Sequence, residues 1–429
     1  MDQTTALRDD AHAWIDRVRA ADVIVGIPSY KNAATIGHVI RAVGEGLARY
    51  FPDAKAAIVN SDGGSPDETR LVVLRTPVPD GVQVLTTEYQ GRAGKGSALR
   101  AIFEIVAALG AKACVVVDSD LRSITPEWID QLGGPILREG FDYIAPLYIR
   151  HKHDGTITNN ITYPMTRMLY GLDVRQPIGG DFGFSRELAR WWLAQDVWDS
   201  DVARYGIDIW MTTTAIAEGF KVGQAGLGLK IHDAKDPAAS LGPMFSQVVG
   251  TLFTLMRRYA NRWLQVYSVR AAPLIGSLPQ GEPEPVPVSV SALIAKLRQG
   301  IQDNNDTLAS SLGRERLHAL EHIAATEDES FAFPAETWAR LVFDLALAYK
   351  NKSLPAERIM EAMLPLYYGR TAGLIREAAG MNAAEFEQRI IQAQAEIFLQ
   401  LKPELVGRWN EGCNQLPSED LAEPEPNMI

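Results

Sequence analysis

The stretch "ACVVVDSD", Ala113 to Asp120, decides the fold. Small and apolar residues from Ala113 to Val117 run straight into Asp118-Ser119-Asp120. A buried strand that ends in carboxylates is the pattern of an open α/β sheet, whose ligands gather at the carboxyl ends of its strands. In an extended strand alternate side chains share a face, so both carboxylates point the same way. Two anions that close repel. A bound divalent cation removes the conflict, and oxygen ligands suit Mg2+ or Mn2+. The competing reading is that one aspartate caps the next helix and the other is solvated.

Outward from this run, the first half of the chain alternates between two periods. "DVIVGIPSY" (residues 22–30) is a β-branched run, and Ile36, Val39, Ile40, Val43 and Leu47 then recur at helical spacing. "AAIVNSDGG" and "GVQVLTTEY" read as further strands, and residues 95–109 as a helix. Strand and helix alternating at these lengths predict a mostly parallel sheet with right-handed crossovers. "FDYIAPLYIR" and "GFKVGQAGLGLKIHD" read as later strands, with "QPIGGDFGFSREL" a Gly-rich turn before a helix capped by Ser185. Phe245, Val248, Val249, Leu252, Leu255, Met256, Tyr259 and Trp263 share one helical face. These patterns divide the chain into an α/β domain (1–275), a Pro-rich linker (276–290), a small all-α domain (291–415) and a disordered tail (416–429).

The chain has 429 residues and a net charge of −11. That balance disfavours a general binder of nucleic acid or anionic membrane, which needs clustered Lys and Arg. No apolar run approaches the ~20 residues of a membrane span, and the N-terminal stretch has no signal-peptide core. The two cysteines, Cys114 and Cys413, suggest no disulfide framework and fit a reducing compartment, the cytoplasm.

Several residues could carry chemistry. Asp62, at the end of the second strand, is either an acceptor for a base or ribose, or part of an Asp-Gly-Gly turn. "YQGRAGKGSALR" (89–100) fails the Walker A spacing, yet it can bring Arg92, Lys95 and a helix N-terminus to a phosphate. His232, one of seven histidines, could be a third metal ligand, or a core or surface histidine. Asp181 follows Gly179-Gly180, where backbone can approach a ligand closely, and Asp208 lies in the apolar stretch "YGIDIW".

Taken in order, "IPSYKNAATI", "NSDGGS", "GRAGKGSALR", "VVVDSDLRSITPEWI", "YPMTRMLYG", "QPIGGDFGFS", "YGIDIW" and "GLGLKIHD" resemble the GT-A glycosyltransferases of the mannosylglycerate synthase and glucosyl-3-phosphoglycerate synthase type. The resemblance covers roughly residues 20 to 265, and "LPLYYGRTAGLIRE" is similar to the helical domain of mannosylglycerate synthase-like enzymes. It implies a Rossmann-like GT-A domain and a retaining transfer of glucose or mannose from a GDP-, UDP- or ADP-sugar. Asp118, Asp120 and His232 would hold Mg2+ or Mn2+. Ile27, Pro28, Tyr30 and Asp62 would line the nucleoside pocket. Gln90, Arg92, Lys95, Asp118 and Gly180 would meet nucleotide or sugar, and Asp181 and Asp208 would sit by the transferred hexose.

The phosphoglycerate enzymes carry a Gly-Gly-Gly-Arg segment that clamps the acceptor phosphate. The matching stretch here, "HKHDGTITNNITYP", lacks it. Thr156, Thr158 and Asn159 suit a small hydroxy acid such as D-glycerate, whereas the nearby cationic run Arg150, His151 and Lys152 weighs towards a phosphate. The alternatives are 3-phosphoglycerate as acceptor, or an inverting GT-A transferase with a general base. The expected product is a glycosylglycerate-type compatible solute, and the helical domain either supports a homo-oligomer or walls the acceptor pocket.

Overall fold

The computed structural model describes residues 5–232, 241–278 and 280–411. Cys413 and the stretch expected to be a disordered tail lie outside the described residues.

The strands β1 (Val23–Ser29), β2 (Ala56–Asp62), β3 (Gln83–Glu88), β4 (Ala113–Val116), β5 (Tyr143–Ile149), β7 (Phe182–Ser185), β8 (Val222–Leu229) and β10 (Leu274–Ile275) form one sheet. Two-residue strands β6 (Leu172–Asp173) and β9 (Arg270–Ala271) pair separately. The spatial order is β10-β8-β5-β7-β4-β1-β2-β3. Every pair is parallel except those of β7, which runs antiparallel between β4 and β5. The expected mostly parallel sheet followed by helices is therefore present.

Burial on both faces explains the uninterrupted apolar strands. Val23, Val25 and Ile27 of β1 point to one core, shared with Ile36, Val39, Ile40 and Trp128. Ile24 points to the other, shared with Leu99, Ile102 and Phe103. Fully burying each such side chain contributes about 1.5–3 kcal/mol. The helix Gly242–Arg258 buries Phe245, Val248, Val249, Leu252, Leu255 and Met256, as the spacing predicts.

Two expectations change. The Gly-rich stretch before Ser185 is a strand, not only a turn, and its reversed direction carries Asp181 to the carboxyl edge of the parallel strands. Strand β4 also stops at Val116, with Asp118 to Asp120 in the turn beyond. The alternation argument for two carboxylates on one face therefore does not apply to them.

Helices from Val290 to Glu411 pack onto the sheet region, and Trp338, Leu366 and Trp409 belong to the same continuous core as Ile24 and Phe184. The Pro-rich stretch crosses the surface under restraint. Glu284 pairs with Arg122 at 2.9 Å, and the Val286 amide donates to His151 Nδ1 at 3.2 Å. No helix of the described residues is long and apolar enough to cross a membrane.

Candidate functional site

The carboxyl ends of β1, β4, β5 and β8, with the start of β7, open into a cleft of about 970 Å3. The helix Gly242–Arg258 closes its far side through Met244, Gln247 and Val248.

Five charged groups form a chain across this edge. Lys95 Nζ donates to Asp208 Oδ2 at 3.2 Å and to Asp118 Oδ1 at 2.9 Å. Lys230 Nζ donates to the other oxygen of Asp118 at 2.9 Å and to Asp181 Oδ2 at 2.7 Å. The Asp118 amide donates to Asp181 Oδ1 at 2.9 Å. Lys230 also reaches the Gly179 carbonyl at 2.8 Å and the Tyr148 hydroxyl at 3.3 Å. Burial works against the carboxylate of Asp118, but Lys230 and Lys95 outweigh it and hold its pKa well below the usual range. Burial lifts Asp181 and Asp208, and their lysine partners offset this only in part.

Local structure explains the placement. Lys95 opens the helix Lys95–Leu109, and the preceding glycines let that helix start touch residues 202–204. A Cβ on Gly96 would lie 1.8 Å from the Val202 carbonyl oxygen, so the Gly-Lys-Gly sequence serves a close backbone crossing here. Gly180 has φ +94°, and a Cβ there would come within 2.2 Å of Asp118 Oδ2. Lys230 follows β8 just past a bulge against Leu147 and Tyr148 of β5.

Lys230 is the residue that sequence reasoning missed. Its signal was a lone cation inside the apolar, Gly-rich run "GLGLKIHD". A charge that ends a buried strand needs partners, and the nearest candidates were the aspartates already in view.

Among the described residues, no group of three or more His, Cys, Asp or Glu is arranged to hold a metal ion. Asp118, the first expected ligand, has both oxygens engaged by lysines. Asp120 makes no hydrogen bond or ion pair among the described residues, and burial together with Asp118 raises its pKa. His232 Nε2 lies 3.1 Å from Asp154 Oδ2, and both His232 and Asp120 line the cleft. His232 is close enough to draw the Asp120 pKa partly back down. Asp120 and His232 thus put a carboxylate and an imidazole, both metal-ligand types, on one cleft.

The other expected residues divide. Pro28 and Tyr30 line the cleft, whereas Ile27 is buried in the core beneath. Asp62 is fully buried: it accepts from Ser29 Oγ at 2.7 Å, Ser65 N at 2.6 Å and Ser65 Oγ at 2.7 Å. The turn reading therefore describes its contacts. Gln90 faces a separate polar hollow beside Arg8 and Arg70, and Arg92 is exposed outside the cleft lining. Gly180 and Asp208 line the cleft, while Asp181 lies under its floor.

On the opposite wall, Arg150, Thr156 and Thr158 line the cleft. Asn159 turns away, and its Oδ1 accepts from Arg175 at 2.8 Å. Thr158–Thr162 forms a π-helical turn, a distortion common beside functional sites.

No protein-family model and no curated protein matches the sequence. Solved structures are similar to it, among them several of one enzyme. That enzyme is glucosyl-3-phosphoglycerate synthase from Mycobacterium tuberculosis. Its complex with Mn2+, uridine diphosphate and glucosyl-3-phosphoglycerate is 26% identical, over 56% of this chain and 83% of that one, with a TM-score of 0.44. Its complex with Mg2+ and uridine diphosphate is 25% identical over the same shares, with a TM-score of 0.42.

Proposed function

We propose that this chain is a divalent-metal-dependent hexosyltransferase of the GT-A class. It moves glucose or mannose from a nucleotide sugar to a small hydroxy acid, D-glycerate, with retention of anomeric configuration. The observation that carries this reading is the Asp208–Lys95–Asp118–Lys230–Asp181 chain, set in a cleft of about 970 Å3 with Asp120, which has no ion-pair partner among the described residues, on its lining. A cleft of that size suits a nucleotide sugar with a small acceptor. The ordered motifs supply the family.

The roles follow from the contacts. Asp120 and His232 would hold the cation, which when bound neutralises charge on a leaving diphosphate. Lys95 and Lys230 fix Asp118 as an anion with one orientation. Among the described residues, one buried oxygen of Asp208 has no hydrogen-bond partner, so it can accept from a hexose hydroxyl or stabilise positive charge at the anomeric carbon. Of the adjacent cations Arg150 and Lys152, only Arg150 lines the cleft. Lys152 is tied to the carbonyls of Ala378 and Met381 at 2.9 and 3.0 Å. One arginine, already paired with Asp154, suits a carboxylate better than a phosphate, and this supports an unphosphorylated acceptor.

The test is a panel of GDP-, UDP- and ADP-linked glucose and mannose against D-glycerate and 3-phosphoglycerate, with and without Mn2+, the product being read by NMR. The expected result is metal-dependent turnover with D-glycerate, a retained anomeric centre, and loss of turnover in Asp120→Ala. An inverted product would transfer Asp208 to the role of general base. Absence of turnover with every donor and both acceptors refutes the proposal.

A further inference from the structure

The helical region makes no direct claim on the charged chain, yet its buried polar side chains converge on one short segment of the cleft wall, residues 156–160. Tyr367, from the helix Ala356–Glu377, is fully buried, and its hydroxyl lies 2.5 Å from Thr156 Oγ1. Its ring stacks on Phe245 with centroids 4.6 Å apart. Thr371, one turn further along that helix, accepts from Asn160 Nδ2 at 3.1 Å. Trp338 Nε1 donates to the Asn160 carbonyl at 2.6 Å, and Gln394 Nε2 to the Asn159 carbonyl at 2.7 Å. These partners come from three different helices, so the grip is not an accident of one contact.

The backbone of the segment explains why the grip matters. Residues Thr158–Thr162 form a π-helical turn, whose wider ring displaces carbonyls from the usual ladder. Carbonyls buried without partners are costly, and two successive ones here are met by Trp338 and Gln394. The turn that aims Thr158 into the cleft is therefore completed by the helical region.

We propose that the helical region is a built part of the acceptor wall, and that Tyr367 is a positioning residue acting through the Thr156 hydroxyl. This rests on the reading above that Arg150, Thr156 and Thr158 face the acceptor. Tyr367 holds the segment in register without reaching the substrate. Its loss weakens acceptor binding and leaves the donor side unchanged.

Tyr367→Phe deletes one hydroxyl and keeps the ring on Phe245. Hydrogen exchange of a peptide spanning 155–162, followed by mass spectrometry, is expected to quicken by about 3–10-fold, the worth of one buried hydrogen bond. In steady-state kinetics, KM for the acceptor rises by a similar factor, with kcat and donor KM within twofold of wild type. Adding Thr156→Val to Tyr367→Phe quickens the exchange no further, because the Thr156 hydroxyl holds the segment through that one bond. Trp338→Phe, which removes an independent bond to the same segment, gives the same pattern and stands in if Tyr367→Phe does not fold. Unchanged exchange in folded Tyr367→Phe, or equal rises in donor and acceptor KM, overturns the proposal. A wild type inactive on every donor refutes the transferase reading instead, and the exchange measurement still decides whether Tyr367 holds the segment.

Discussion

Replacing Lys230 with methionine removes the cation between Asp118 and Asp181, at 2.9 and 2.7 Å. The two carboxylates do not suffer equally. Asp118 is about a quarter exposed and keeps Lys95, whereas the Asp181 side chain is fully buried and, among the described residues, has Lys230 as its one ion-pair partner, with Arg150 acting on it from further off. Leaving one buried charge unpaired costs about 3–5 kcal/mol. At roughly 2.1 cal/mol/K per residue, a chain of 429 residues unfolds with an entropy near 0.9 kcal/mol/K, so the loss corresponds to about 3–6 °C in calorimetry. The variant Lys230→Met/Asp181→Asn removes both charges and keeps an oxygen for the Asp118 amide. It recovers most of the loss. The pH dependence has a definite sign. Burial already raises Asp181 with Lys230 present, and removing the lysine raises it further. An acid with a raised folded-state pKa costs stability above that pKa and nothing below its unfolded value. The deficit of Lys230→Met therefore shrinks as pH falls from neutrality towards 4. A Tm within about 1 °C of wild type, or a double variant weaker than the single, refutes the electrostatic account of Lys230.

Three further changes test other parts of the structure. Gly180→Ala forces a non-glycine residue to φ +94° with its Cβ against Asp118, and a loss of about 1–3 kcal/mol in urea unfolding is expected, with weaker nucleotide-diphosphate binding by calorimetry. Asp62→Ala strands the donors of Ser29 and Ser65, and the expected cost is about 1.5–3 kcal/mol; a change under about 0.5 kcal/mol would show that these bonds are idle. Burial lowers the Lys402 pKa to about 8 while its ammonium serves the carbonyls of Met168 and Val266. The unfolded chain holds that proton up to about pH 10.4, so the wild type gains stability over Lys402→Met as pH rises from 8 to 10.4, and a difference in Tm that stays flat across that window contradicts the shift.

The elements that could be read from the sequence are those whose periodicity is local. Ile36, Val39, Ile40, Val43 and Leu47 sit on one helical face because 3.6 residues make a turn, whatever surrounds them. The apolar strands β1, β2 and β4 betray burial on both faces for the same reason. Strand β7 was missed because four residues among glycines carry too little pattern, and only its neighbours β4 and β5 make it a strand.

The same division runs through the candidate site. Sequence by itself determined that carboxylates end the strands of an α/β sheet and that a ligand edge exists there, since strand direction and side-chain chemistry are both written locally. Only the tertiary structure decided which charges meet. Asp118 lies 112 residues before Lys230 and 63 before Asp181, and Tyr367 lies 211 after Thr156. Pairing over such separations depends on the reversed course of β7, the bulge between β5 and β8, and the docking of distant helices. Those depend on packing of the whole chain, and so Asp118 belongs to two lysines while Asp120 stands open to the cleft.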